Sequence, residues 1–99
     1  MIYHVASLEV VPGKGNEAKQ ALSKAGEYIS KKSPDSNPQI LQGIDGSSNR
    51  IHGIESYDSL ATWEAVVDAR GADPEWQDII SELMEVTVGT DHHFYRVVS

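Results

Sequence analysis

Residues 39–57, QILQGIDGSSNRIHGIESY, decide the fold. Gln39 to Ile44 reads as a strand, Asp45-Gly46-Ser47-Ser48-Asn49 has the chemistry of a hairpin loop, and Arg50 to Tyr57 reads as a second strand. No helix fits between them, so the middle of the chain is β-β. On the N-terminal side, Tyr3 to Val11 is rich in β-branched and apolar residues and stops at the turn formers Pro12-Gly13-Lys14-Gly15. Asn16 is placed to cap a helix, and Ala18, Ala21, Leu22, Ala25 and Ile29 follow at helical spacing until Ser33-Pro34. On the C-terminal side, Asp58 or Ser59 caps a helix carrying Leu60, Trp63 and Val67, which Gly71 closes. Asp73-Pro74 restarts it, with an apolar stripe of Trp76, Ile79, Ile80 and Leu83. Gly89 to Asp91 then turns the chain into a last strand, His92 to Val98.

The order β-α-β-β-α-β, with its second helix broken near Gly71 to Pro74, predicts an α+β, ferredoxin-like fold. Its four strands form an antiparallel sheet in spatial order 4-1-3-2. Helices cover one face of such a sheet. Strand one offers Ile2, His4, Ala6, Leu8 and Val10 on its even face, and Tyr3, Val5 and Val11 around Ser7 and Glu9 on the odd one. Strand three has Ile51, Gly53 and Tyr57 on one side and His52 and Ile54 on the other. Both sheet faces therefore need cover, and a second copy of the chain laid sheet on sheet provides it, which predicts a homodimer.

The 99 residues fit one domain, 1–99. The net charge of -7 opposes phosphate backbones and anionic membranes, so neither nucleic acid nor membrane is an expected partner. With no cysteine, disulfides, thiolate metal ligands and cysteine nucleophiles are ruled out. The N-terminus lacks the pattern of a signal peptide, and a cytoplasmic protein is expected. Gly13-Lys14-Gly15 lacks the length of a nucleotide-binding loop, and no serine has a nucleophile-elbow context.

Three short segments carry a family resemblance: Val11-Pro12-Gly13-Lys14 after strand one, Glu55-Ser56-Tyr57-Asp58-Ser59-Leu60 followed by Trp63, and Asp73-Pro74-Glu75-Trp76. In order and spacing they resemble the dimeric α/β-barrel superfamily, especially its antibiotic biosynthesis monooxygenase and NIPSNAP-like groups. The resemblance implies a dimeric α/β barrel with a ligand cleft between sheet and helices. It also implies either a cofactor-independent monooxygenase acting on a small aromatic or polyketide-like substrate, or a non-catalytic dimeric ligand-binding or regulatory protein. Haem-degrading relatives carry an Asn, a Trp and a His where this chain has Ala6, Ile54 and about Asp73. None of these replaces the missing groups, so haem degradation is disfavoured and no cofactor is expected.

Histidines are the natural acid-base candidates. If strand three ran parallel to strand one, His4 and His52 would sit about 5 Å apart on the helix side. They are the expected catalytic residues, with Tyr95. Strand four, starting near His92, would place His92 and His93 about 15 Å from His4, so no metal cluster forms and no metal is expected. Alternation sends the two neighbours to opposite faces. His93, Tyr95 and Val97 are expected towards the helices; His92, Phe94, Arg96 and Val98 are expected on the barrel face. There Arg96 would pair with Glu55, and His92 would approach Glu9. Ala6, Ile54, Trp63, Trp76 and His93 are the expected pocket lining. The break at Gly71 to Pro74 is a candidate lid.

Overall fold

In the computed structural model, which describes residues 1–46 and 49–99, β1 (Ile2–Val10), α1 (Gly15–Lys32), a 3-10 turn (Pro34–Ser36) and β2 (Gln39–Gln42) come first. β3 (Arg50–Tyr57), α2 (Leu60–Gly71), α3 (Pro74–Met84) and β4 (Thr87–Arg96) complete the chain. Ser47 and Ser48 of the expected hairpin loop lie outside the described residues. The sheet has four strands in the order β2-β3-β1-β4, and every neighbouring pair is antiparallel. This is the ferredoxin-like α+β arrangement.

Local chemistry sets most boundaries. Ser59 caps α2 by accepting from the Thr62 N–H, and Asp73 caps α3 by accepting from the Glu75 N–H, with Pro74 in the first turn where its missing N–H costs nothing. Asn16, expected to cap α1, instead lies inside it. The turn through Gly13, at φ 84°, brings the Lys14 N–H onto the Val11 carbonyl, and Lys14 takes the N-cap position without a side-chain bond. The last strand begins at Thr87, five residues before the expected start. Gly89, at φ 74°, absorbs a register shift opposite Leu8 to Val10, so of the residues read as a turn Gly89 lies in a bulge and Thr90 and Asp91 are paired within a longer strand.

The core lies between the helices and the even face of β1. Leu8, Val10, Ala18, Ala21, Leu22, Ile51, Leu83 and Val86 form one buried cluster, and Ala25, Tyr28 and Ile79 a second, with Ile29 and Trp76 against it. Small alanines on α1 pack into this layer, and the helix makes its closest approach to α3. The α2 stripe is shallower than its sequence implies: Leu60 is 53% exposed and Val67 36%. The buried residue on that helix is Arg70, three positions beyond Val67 in the same stripe.

Register corrects the geometry drawn from the sequence. β1 and β3 are antiparallel, with His4 opposite Glu55 and Ser7 opposite His52. Directly paired residues share a face, so Ile51, Gly53, Glu55 and Tyr57 face the helices with His4, while His52 faces outward with Ser7. β4 is likewise inverted: Ala6 pairs with His92 and His4 with Phe94 on the helix side, and Val5 pairs with His93 and Tyr3 with Tyr95 on the outer side. Arg96, opposite Ile2, belongs to the helix side as well.

Candidate functional site

A cleft of about 410 Å³ opens between the sheet and the helices. Its floor is built by Ala6, Leu8 and Gly53, and its helical walls by Ile29, Trp76 and Ile80. The polar groups on its lining that carry a charge or can titrate are His4, His92, Glu55 and Arg70. A largely apolar concavity of this volume with a few convergent polar groups has the dimensions of a small-molecule site.

Glu55 and Arg70 are committed to each other. They are 5% and 7% exposed, and the guanidinium grips the carboxylate in a fork, Nη1 to Oε1 at 3.0 Å and Nη2 to Oε2 at 3.0 Å. The Tyr57 hydroxyl also donates to Glu55 and accepts from Arg70. Burial, together with the bond to Glu55, pushes the Tyr57 phenol up to about 12. Arg70 lies 5.1 Å from the Trp76 ring, which in turn packs against Tyr28.

His4 sits at the end of this network. Its Nε2 is 2.9 Å from Nδ1 of His92, and the two rings are nearly parallel. Trp63 and Phe94 enclose it, at 5.4 and 5.1 Å between ring centroids. Desolvation first, then the neighbouring His92, lowers the His4 pKa below its ordinary value, with Arg70 acting the same way and Glu55 opposing. The neutral imidazole, able to accept a proton, is therefore the resident form at pH 7.

The expected site residues separate. His4, Ala6 and Trp76 line the cleft; Ile54 reaches only its margin where β3 meets β2, because it pairs with Val5 on the outer side. Trp63 packs behind His4 rather than on the lining. His52 is outside the cleft, hydrogen-bonded through Nδ1 to the Ser7 hydroxyl at 2.8 Å, and His93 and Tyr95 are exposed on the same outer face. Glu55 pairs with Arg70 and not with Arg96, and Glu9 accepts from Asn49 instead of meeting His92. His4 and His92, set about 15 Å apart on the sequence reading, are in contact because β4 starts early. No three metal-capable side chains converge among the described residues. The break between α2 and α3 is tied down: Asp73 accepts from the Tyr28 hydroxyl at 2.5 Å, and Gln77 donates to the Gly71 carbonyl. A free lid does not fit those bonds.

Two consequences are measurable. Arg70→Met strands a buried carboxylate and is expected to lower unfolding free energy by about 3–5 kcal/mol, with much of the loss restored in the Glu55→Gln, Arg70→Met double variant; urea melts of the four proteins check it. Because His4 has a folded pKa below the unfolded 6.5, the unfolded chain binds its proton first. The His4 contribution is thus complete above about pH 6.5 and is lost as pH falls through the folded value. The urea midpoint is expected to drop between pH 7 and pH 5, and to drop less in His4→Phe.

With this geometry in hand, other solved structures show the same fold. A protein of Agrobacterium tumefaciens superposes with a TM-score of 0.83 at 16% identity, over 97% of this chain and 92% of its own. An uncharacterised NIPSNAP domain protein from Burkholderia xenovorans gives 0.82 at 17%, over 100% and 96%. A Deinococcus radiodurans protein provisionally named an antibiotic biosynthesis monooxygenase gives 0.77 at 13%, over 100% and 94%. No curated protein sequence matches the chain. The NIPSNAP family profile, in contrast, matches residues 3–99, nearly the whole length, and on that match the chain belongs to the NIPSNAP family.

Proposed function

We propose that this protein is a small cofactor-independent monooxygenase that binds an aromatic or polyketide-like molecule in the cleft between sheet and helices. The observation that carries the reading is the 410 Å³ apolar cleft with a neutral, buried His4 on its wall. The fold it shares with proteins provisionally named antibiotic biosynthesis monooxygenases lends support. Such a substrate supplies its own electrons. An activated CH2 group loses a proton to His4, the resulting carbanion passes electrons to dioxygen, and the carbon ends as C=O while the second oxygen atom leaves as water. The apolar walls hold the substrate in place and desolvate the base. A second reading, a ligand-binding protein without turnover, is favoured by the mutual commitment of Glu55 and Arg70, which leaves the His4–His92 pair to do all proton transfer.

Oxygen uptake with anthrone, in the presence of a chelator and without added flavin, separates the two. The expected result is uptake above the spontaneous rate, with one dioxygen consumed per anthrone oxidised, and a loss of about 10²–10⁴-fold in His4→Phe. Binding without uptake selects the second reading, and neither binding nor uptake overturns both.

The same proposal makes the active species a cytoplasmic homodimer. Tyr3, Leu41 and Tyr95 on the outer sheet face are 39%, 47% and 56% exposed, and helices cover only the opposite face. A second copy over that face would enclose His52, His93, Tyr95 and Glu9. Light scattering at low micromolar concentration is expected to give twice the chain mass, and Tyr95→Glu to shift it towards the single chain.

A further inference from the structure

Of the four histidines, two share a proton. His4 as a residue is 8% exposed and His92, on the edge strand and at the cleft lining, is an exposed residue, yet their rings are joined by one hydrogen bond, Nε2 to Nδ1. A hydrogen bond between two neutral imidazoles holds one proton and fixes both tautomers at once. If His4 Nε2 donates, His4 Nδ1 is a bare acceptor and His92 carries its proton on Nε2. If His92 Nδ1 donates, the bare acceptor is His92 Nε2 and His4 carries its proton on Nδ1. A proton added at His4 Nδ1 can therefore leave as a different proton from His92 Nε2. His4 Nδ1 is not among the sealed, unpartnered interior polar atoms, which in the described residues are Trp63 Nε1 and Arg70 Nε.

Resting on the reading that the cleft binds a small molecule, we infer that His4 and His92 form a proton relay from the cleft to solvent, serving an uncharged, largely apolar ligand that bears one phenolic or enolic hydroxyl. The step balances. The ligand O–H gives its proton to His4 Nδ1, the Nε2 proton of His4 passes to His92 Nδ1, and the Nε2 proton of His92 passes to water. His4 touches the ligand; His92 acts through His4 and is a positioning residue.

The surroundings decide the class of ligand. The charged groups facing His4 are Glu55 on β3 and Arg70 on α2, and they neutralise each other in a two-point ion pair. A carboxylate or phosphate ligand would find no free cation on this lining, and an ammonium ligand no free anion. Trp63 and Phe94 pack against His4 away from the cleft lining, and their rings bring it no competing acceptor. The remaining polar functions for an apolar guest are those of the two imidazoles, of Thr87 and Thr90 at the β4 end, and of Gln39 at the β2 margin.

The test is ring ¹⁵N spectroscopy of the intact, histidine-labelled protein with two probes, 2-naphthol and 2-methoxynaphthalene, binding being followed independently by tryptophan fluorescence. 2-Naphthol, too weak an acid to release its proton at neutral pH, is expected to hold the pair in the state before transfer: its O–H donates to His4 Nδ1 and shifts His4 and His92 together to the tautomers protonated at Nε2, while His52 and His93 stay in place. The methyl ether, which cannot donate, is expected to bind without moving the pair. A shift at His4 alone, or an equal response to both probes, overturns the relay and leaves the cleft as a binding site. Binding of neither probe overturns the relay together with the reading beneath it. In His92→Phe, binding of 2-naphthol is expected to persist with the coordinated shift lost; an unchanged His4 response there also overturns the relay.

Discussion

The buried ion pair of Glu55 with Arg70 constrains everything around the cleft. Among the described residues it is the one ion pair between α2 and the sheet, beside the packing of Trp63 on His4 and Phe94, while Leu60 and Val67 of that helix are only partly covered. An apolar pair in its place would hold the helix with no desolvation cost, and buried pairs seldom add net stability over such a replacement. What the pair supplies is position. A two-point fork fixes Arg70 relative to β3, Arg70 then lies against Trp76 on α3, and the Tyr57 hydroxyl completes the set. Three elements thus meet at one guanidinium, α2 and β3 through charge-assisted bonds and α3 through the Trp76 ring.

The same pair sets the electrostatics. A lone arginine here would make an anion site, and a lone glutamate would raise the His4 pKa. Together they leave His4 governed mainly by desolvation and by its neighbour His92. The outer face follows a different logic. His52 is bonded there to Ser7 and Glu9 to Asn49, while Tyr3 and Tyr95 stand exposed.

The fold was legible because its punctuation is local. Ser59, Asp73-Pro74 and the turn at Gly13 act within a few residues of themselves, and the missing helix between β2 and β3 forces the rest of the topology. The site was less legible because it depends on register, which is a long-range property. Treating β3 as parallel to β1 put His52 beside His4, whereas two antiparallel neighbours put Glu55 there. An antiparallel hairpin of β2 and β3, with a helix linking β1 to β2, already requires β3 to oppose β1, so that signal was present in the order of elements. Arg70 was also within reach: the stripe Leu60, Trp63, Val67 extends to it, and a charged residue ending an apolar stripe needs a buried partner of opposite sign.

The adjacent histidines of β4 make the point most sharply. Neighbours on a strand face opposite ways, and the structure keeps that rule, so His92 and His93 do not cooperate. Which of them meets His4 depended on where β4 begins, and that in turn on Gly89. A glycine at positive φ reads equally well as a turn that starts a strand or as a bulge inside one. The bulge carries the strand back to Thr87, sets His92 opposite Ala6 and brings its ring onto His4. A side chain at position 89 would strain that conformation and threaten the register on which the His4–His92 contact rests. The chemistry of the cleft is thus tied, through one backbone angle, to a residue that makes no contact with it.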